Sequence, residues 1–483
     1  MTPTAVVITI LAYVAILLAV ARYSGRGVDN SGFFAGNRQT SWYMAWLAMI
    51  GAAMSGITFL SVPGSVGTDA FSYMQMVAGF TVGQLVVAYV LIPVFYRKQV
   101  ISLYEYLEDR FGITTHRTGA WFFFVSKVLN AALRIYVICI VLQQMIFEPC
   151  HLPFGLNALV VVCVVWLYTR QGGVRVLIRT DILKTVVMLL SLGTFLFFIT
   201  RDLNLSLSET IHEVVVSPMS QLFFFDDPSS ERYFWKMFLA GIVLLIAMTG
   251  LDQDLMQRNL SCRTLRDAQR NIVFTAVSQI VVILLFLVLG VLLHLYSQHH
   301  GLAIPERSDQ IFSTVAFNSG LPTVVGIMFV VGLVSITYSA AGSALTALTT
   351  SFTIDILSAH KFANESRLTT IRQRVHLAIA ILLFVVIVVF ERYSNDSTIN
   401  LVYKMAGYTY GPILGMFCFG LMTSYAIRER LIPAIAFLSV VLSVGLQYVA
   451  ELMWNYHIGF ELLIYNAGFT FIGMLLLVKH HEK

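Results

Sequence analysis

The sequence predicts an all-α polytopic membrane protein: a core of two inverted five-helix repeats, with one helix before it and two after. Three observations predict this. Of 483 residues, 58% are hydrophobic and only 12% charged, with a mean hydropathy of +0.78, whereas a soluble domain is about a quarter charged. Apolar runs long enough to cross a bilayer recur from end to end. Two of these runs, five apart, are interrupted by glycine, hydroxyl or carboxylate residues that make poor spanning helix.

The runs lie near 4–22, 42–65, 72–96, 117–147, 155–170, 176–200, 232–257, 270–298, 321–357, 374–391, 398–424, 429–451 and 459–479, thirteen in all. Met1-Thr2-Pro3 has no basic stretch and no clear cleavage site follows, so Thr4 to Ala21 is expected to be a first spanning helix, not a cleaved signal. Alternate loops are basic. They carry Arg22, Arg26 and Arg38; Arg97, Lys98, Arg110 and Arg117; Arg170 and Arg175; Arg258, Arg263, Arg266 and Arg270; Lys361, Arg367, Arg372 and Arg374; Arg428 and Arg430; and Lys483. The other loops are poor in Lys and Arg, and the longest, 201–231, is acidic. The positive-inside rule puts the basic set in the cytoplasm, the N-terminus outside and the C-terminus inside. Thirteen spans satisfy that parity at every loop. The five cysteines show no metal-ligand or CxxC spacing, and the net charge of +5 is spread over loops, so neither a disulfide framework nor nucleic-acid binding is expected.

The second run holds Gly51-Ala52-Ala53-Met54-Ser55-Gly56-Ile57-Thr58, then Pro63-Gly64. The seventh holds Ala247-Met248-Thr249-Gly250-Leu251-Asp252-Gln253-Asp254. In hydrocarbon each unpaired backbone group costs several kcal/mol, so broken helix is tolerated where it lines a cavity or an ion. Five helices being an odd number, the two breaks run in opposite directions, as in an inverted repeat with a binding site at its centre. The expected organisation is 1–41, first helix and cytoplasmic loop; 42–200, repeat one; 201–231, extracellular loop; 232–424, repeat two; and 425–483, two terminal helices. In the ninth run Ser335, Ser339, Ser343 and Thr346 share one helical face, and oxygens of this kind suit a hard monovalent cation. His376, at a helix mouth, is expected to be solvated, and His480-His481 to be a tail; neither forms a catalytic constellation, and no enzyme is expected.

In order along the chain, Phe33-Phe34-Ala35-Gly36-Asn37-Arg38, the broken Ser55-to-Pro63 helix, Tyr104-Glu105-Tyr106-Leu107-Glu108-Asp109-Arg110-Phe111, Gly172-Gly173 with Thr180-Asp181, Asp252-Gln253 with Gln257-Arg258, and Gly407, Gly411 and Gly415 resemble the sodium/solute symporter family. The nearest motifs are those of its sialic acid and sugar transporters. The resemblance implies sodium held by the backbone carbonyls of Gly51, Met54 and Ile336 and the hydroxyl of Ser339. The next hydroxyl position of the family is Ala340 here. A second cation or coupling role falls to Asp181 and Ser343, with Gly342 where some members carry another serine; a structural ion pair of Asp181 with Arg179 or Arg175 is the alternative.

The same resemblance places solute beside Ser55, Thr58 and Tyr73, with Gln75 near a family glutamine position that reads Val77. The carboxylate-clamping arginine of sialic acid members maps onto Asn130, and Arg134 follows one turn on. A charge at that depth costs about 2.5–3.5 kcal/mol on insertion scales, so Arg134 faces either a cavity or a partner. Asp252 and Gln253 are candidates for bonding solute hydroxyls. The expected function is sodium-coupled import, by alternating access, of a small polar solute: a sugar, a sialic acid-like sugar acid or another small organic anion. The expected setting is a bacterial inner membrane, with sodium, solute and the lipid bilayer as partners and the monomer as the working unit. A proton-coupled symporter with Asp181 or Asp252 titrating, and a solute sensor on the same fold, are the alternatives.

Overall fold

The computed structural model describes residues 3–479 apart from 55, 99, 101, 171, 306, 319, 362 and 394–397. The spanning elements are α1 (Pro3–Ser24), α2a (Trp42–Ala53) and α2b (Gly56–Gly64), α3 (Tyr73–Lys98), α4 (Ile113–Leu142), α5 (Phe154–Thr169) and α6 (Gly173–Asp202). They continue as α7a (Phe234–Gly250) and α7b (Gln253–Leu260), α8 (Leu265–His299), α9 (Thr323–Ser351), α10 (Glu365–Tyr393), α11 (Thr398–Met422), α12 (Ile432–Trp454) and α13 (Leu462–Leu476). Among the described residues, eight helices are long and apolar enough to cross a membrane, or ten if each bent pair is one span. The shorter apolar α5 and α13 and the 25-residue α11 accommodate the predicted thirteen.

Both predicted breaks are present. α2a and α2b meet at 61°, and α7a and α7b at 65°. Met54 leaves the helix with extended backbone (φ −82°, ψ 140°), and α7a ends in one wide turn over Ile246–Gly250 before Asp252 caps α7b. Occurring in the second and seventh spans, the breaks fit the five-plus-five core, around which α1, α12 and α13 are added.

Without a hydrophobic drive between helices in lipid, close packing of small residues holds a bundle together. α3 lies on α7a through Gly79 and Gly241, where a Cβ at 79 would strike the Phe238 carbonyl. α13 docks on α11 along Gly407, Gly411 and Gly415, and Asn466 donates to the carbonyls of Gly407 (3.0 Å) and Tyr408 (2.9 Å). The glycine-rich stretch is therefore a helix-docking stripe. Backbone cannot retreat as a side chain can, so Gly79→Ala is expected to lower stability by about 1–3 kcal/mol, the usual cost of overpacking. Thermal unfolding in detergent checks this; an unchanged transition would show that the two helices separate freely.

Candidate functional site

Beside the α2 break lies a cavity of about 260 Å³. Met54, Thr58, Tyr73, Asn130, Arg134, Thr249 and Asp252 line it, with Phe80, Leu244 and Met248 in the apolar wall. It reaches Ser65, Asp69, Glu231, Arg232 and Phe460, residues near or in the loops poor in Lys and Arg. Burial raises the Asp69 carboxyl there above the usual carboxylate range, against the Thr68 hydroxyl and Arg232. Ser55, expected as a solute contact, lies outside the described residues.

Three described cations line the cavity. Lys127 is ion-paired, and Arg232 donates to the Thr68 carbonyl (3.1 Å) and covers the Phe224 ring. Arg134 makes no ion pair or hydrogen bond among the described residues, and its buried Nε lacks a partner. Its guanidinium is thus presented to the cavity, beside Asn130 one turn earlier on α4.

Beneath the cavity six buried charges alternate in sign. Lys184 Nζ lies 3.3 Å from Asp181 Oδ1, and Asp181 Oδ2 lies 2.7 Å from Arg258. Arg258 reaches Asp254 Oδ1 at 2.9 Å; Lys127 then bridges Asp254 (2.7 Å) and Asp252 (2.9 Å). Asp252 also accepts from the Tyr410 hydroxyl (2.5 Å) and from the Asp254 amide (2.8 Å). Three cations balance three carboxylates, which is how a low-dielectric interior tolerates charge. The chain ties α6 to α7b, α4 and α11. Of its members the sequence marks only Asp181 and Asp252 as site residues. The missed signal was Lys127, a charge within an apolar run that shares a helical face with Asn130 and Arg134 at spacings of three and seven.

Several expected contacts are turned elsewhere. Gln75, which does not line the cavity, donates to the Arg232 carbonyl (2.9 Å) and accepts from the Phe224 amide (3.1 Å), tying down the long acidic loop. Gln253 accepts from the Leu103 amide (3.0 Å) and likewise does not line the cavity. A buried amide satisfies backbone groups that water cannot reach, which explains both. Asp252 does line the cavity, but its oxygens are engaged by Lys127, Tyr410 and the α7b cap. Asp181 pairs with Arg258 and Lys184, not with Arg179 or Arg175. His376 is buried, between the hydroxyls of Thr169 (2.9 Å) and Thr349 (2.8 Å), not solvated.

Two of the residues expected to hold a cation, Gly51 and Ser339, both meet Asp181. Ser339 on α9 donates to Asp181 Oδ1 at 2.7 Å, leaving its oxygen lone pairs for a further partner. Gly51 on α2a packs against Thr185 and the Asp181 carbonyl of α6. Ile336 is buried one turn before Ser339, and Thr337 carries a buried hydroxyl with no hydrogen-bond partner among the described residues. Arg258 also donates to Ser343.

At the basic-loop face, His116 sits between Glu108 (2.8 Å) and Asp355 (3.1 Å), and Lys361 bonds Glu108 at 2.8 Å. The Lys361 hydrogen bond, followed by that of His116, holds the Glu108 carboxyl below the usual carboxylate range. This cluster fastens α4 to the end of α9.

Residues 33–429 match the family described as sodium:solute symporter family. The chain is 26% identical over 382 residues to the sodium-dependent multivitamin transporter of Oryctolagus cuniculus, which covers 78% of this chain and 59% of that protein. It is 24% identical over 470 residues to the sodium/sialic acid symporter NanT of Aliivibrio fischeri, covering 90% and 86%. A Na+-coupled sialic acid symporter solved in a substrate-bound outward-open state superposes with a TM-score of 0.83 at 17% identity, covering 98% of this chain and 97% of that one. The chain spans less than two thirds of the length of the mammalian multivitamin, iodide and monocarboxylate transporters that it matches.

Proposed function

Since this chain belongs to the sodium:solute symporter family, we propose that it is a sodium-coupled secondary active symporter importing a small organic carboxylate by alternating access. The observation that carries the carboxylate is Arg134, a guanidinium with no ion pair or hydrogen bond among the described residues, in a cavity whose buried charges Lys127, Asp252 and Asp254 are matched. A planar guanidinium holds a carboxylate through two parallel hydrogen bonds. Asn130, Thr58 and Tyr73 surround the remainder of the solute. The names of the multivitamin, monocarboxylate and sialic acid relatives agree with an organic acid.

Sodium binds the carbonyls of Gly51, Met54 and Ile336 and the Ser339 hydroxyl, with Thr337 or a water in place of the hydroxyl absent at Ala340. Backbone oxygens from broken helices are the usual ligands of such an ion. Bridging α2 to α9, sodium favours the conformation in which the cavity faces the acidic loops, and solute favours the same one. Their coupling is therefore reciprocal. The charge chain and the His116 cluster close the opposite end. The setting is a bacterial plasma membrane, with the N-terminus outside, the basic loops cytoplasmic and a single chain as the working unit; 42–200 and 232–424 form the two repeats.

Purified protein is expected to gain thermal stability from one class of small carboxylates only when sodium is present, and proteoliposomes to accumulate that solute under an inward sodium gradient. Uptake unchanged when choline replaces sodium at fixed pH would overturn the sodium coupling. Stabilisation by neutral sugars but not by acids would overturn the carboxylate.

A further inference from the structure

Lys184 is fully buried on α6, one turn beyond Asp181. Its Nζ lies 3.3 Å from Asp181 Oδ1, 3.3 Å from the Tyr168 hydroxyl and 4.5 Å from the centre of the Tyr168 ring. The same Oδ1 accepts the Ser339 hydroxyl, while Oδ2 takes Arg258, which also holds Ser343. Both carboxylate oxygens of Asp181 are thus engaged by side chains of the protein. The space is filled as well: a Cβ at Gly342 would collide with the Tyr168 hydroxyl, which donates to the Tyr338 carbonyl. Glycine at 342, tyrosine at 168 and lysine at 184 are three independent positions that fit together at one point.

We propose that the Lys184 ammonium is the built-in occupant of a second cation site on Asp181, so that this protein couples one sodium, not two, to each solute. The proposal rests on the sodium-coupled reading above. Charge balance carries it. The buried chain holds three cations and three carboxylates; a second free sodium on Asp181, beside the one held by carbonyl and hydroxyl oxygens at Ser339, would put two uncompensated charges in a medium of low dielectric. Removal of Lys184 leaves one negative charge in excess, which a monovalent cation from solution restores.

Radioactive sodium binding to the full chain in nanodiscs tests this without knowledge of the solute. The unaltered protein is expected to saturate at one sodium per chain with a Hill coefficient near one. Lys184→Ala, and the triple change Lys184→Ala with Tyr168→Phe and Gly342→Ser, are expected to bind two, while Lys184→Arg stays at one. Two sodium ions bound by the unaltered chain would overturn the proposal. So would a triple variant that keeps its thermal transition and still binds one. No sodium bound by the unaltered chain would overturn the sodium-coupled reading itself, whatever the variants do.

Discussion

Replacing Arg134 by glutamine is expected to weaken solute binding by about ten- to a hundredfold while leaving the fold intact. The two effects separate because Arg134 has no protein partner to lose: it makes no ion pair or hydrogen bond among the described residues. Hydrogen bonds to a charged group contribute about 1.5–3 kcal/mol each, and about 1.4 kcal/mol is a factor of ten in affinity. Glutamine keeps much of the length but neither the charge nor the fork. Lysine at 134 restores the charge without the bidentate geometry and is expected to recover only part of the affinity. Because a half-buried charge with no partner among the described residues is a cost to the free protein, the thermal transition of Arg134→Gln should hold or rise. Solute-induced thermal shift and initial uptake rates read the two effects apart. A lower transition with unaltered solute affinity would show that Arg134 serves the fold and not the solute.

Arg258→Met is expected to do the reverse, destabilising the protein by about 3–5 kcal/mol, the cost of removing one partner from a buried pair. Arg258 is completely buried and links Asp181 to Asp254. Without it, three carboxylates share Lys184 and Lys127. Removing one charge of each sign is milder: Asp181→Asn with Lys184→Met leaves Arg258, Asp254, Lys127 and Asp252 as two balanced pairs. The double variant is expected to unfold above Arg258→Met in detergent, although it changes two buried residues. Equal or lower stability of the double variant would mean that packing around Arg258, not charge balance, sets the cost.

The spans, the alternation of basic loops and the two breaks were legible because each is a local property. A run of apolar residues records its medium, and Gly51 to Thr58 shows by composition alone that it makes a poor continuous helix. That Gly51 and Ser339 lie against the same residue, Asp181, was legible only through resemblance to a family, since they are far apart in the chain. Gln75 and Gln253 were misplaced for a related reason. A glutamine in an apolar run announces a polar need but not its direction, and here both turned to backbone in neighbouring loops.

The sequence by itself determined the membrane setting, the order of the spans and where the helix must break, because hydropathy and backbone pairing act over one or two turns. It also required that the buried charges be matched, since an unpaired charge in a low-dielectric interior is costly. Only the tertiary structure decided which charge meets which. Asp181 reaches Arg258 across 77 residues, Lys127 reaches Asp252 across 125, and Tyr410 reaches Asp252 across 158. Coulombic attraction has no sequence period, so these partners follow from packing, and of the three described cations that line the cavity packing left Arg134 with neither ion pair nor hydrogen bond among the described residues.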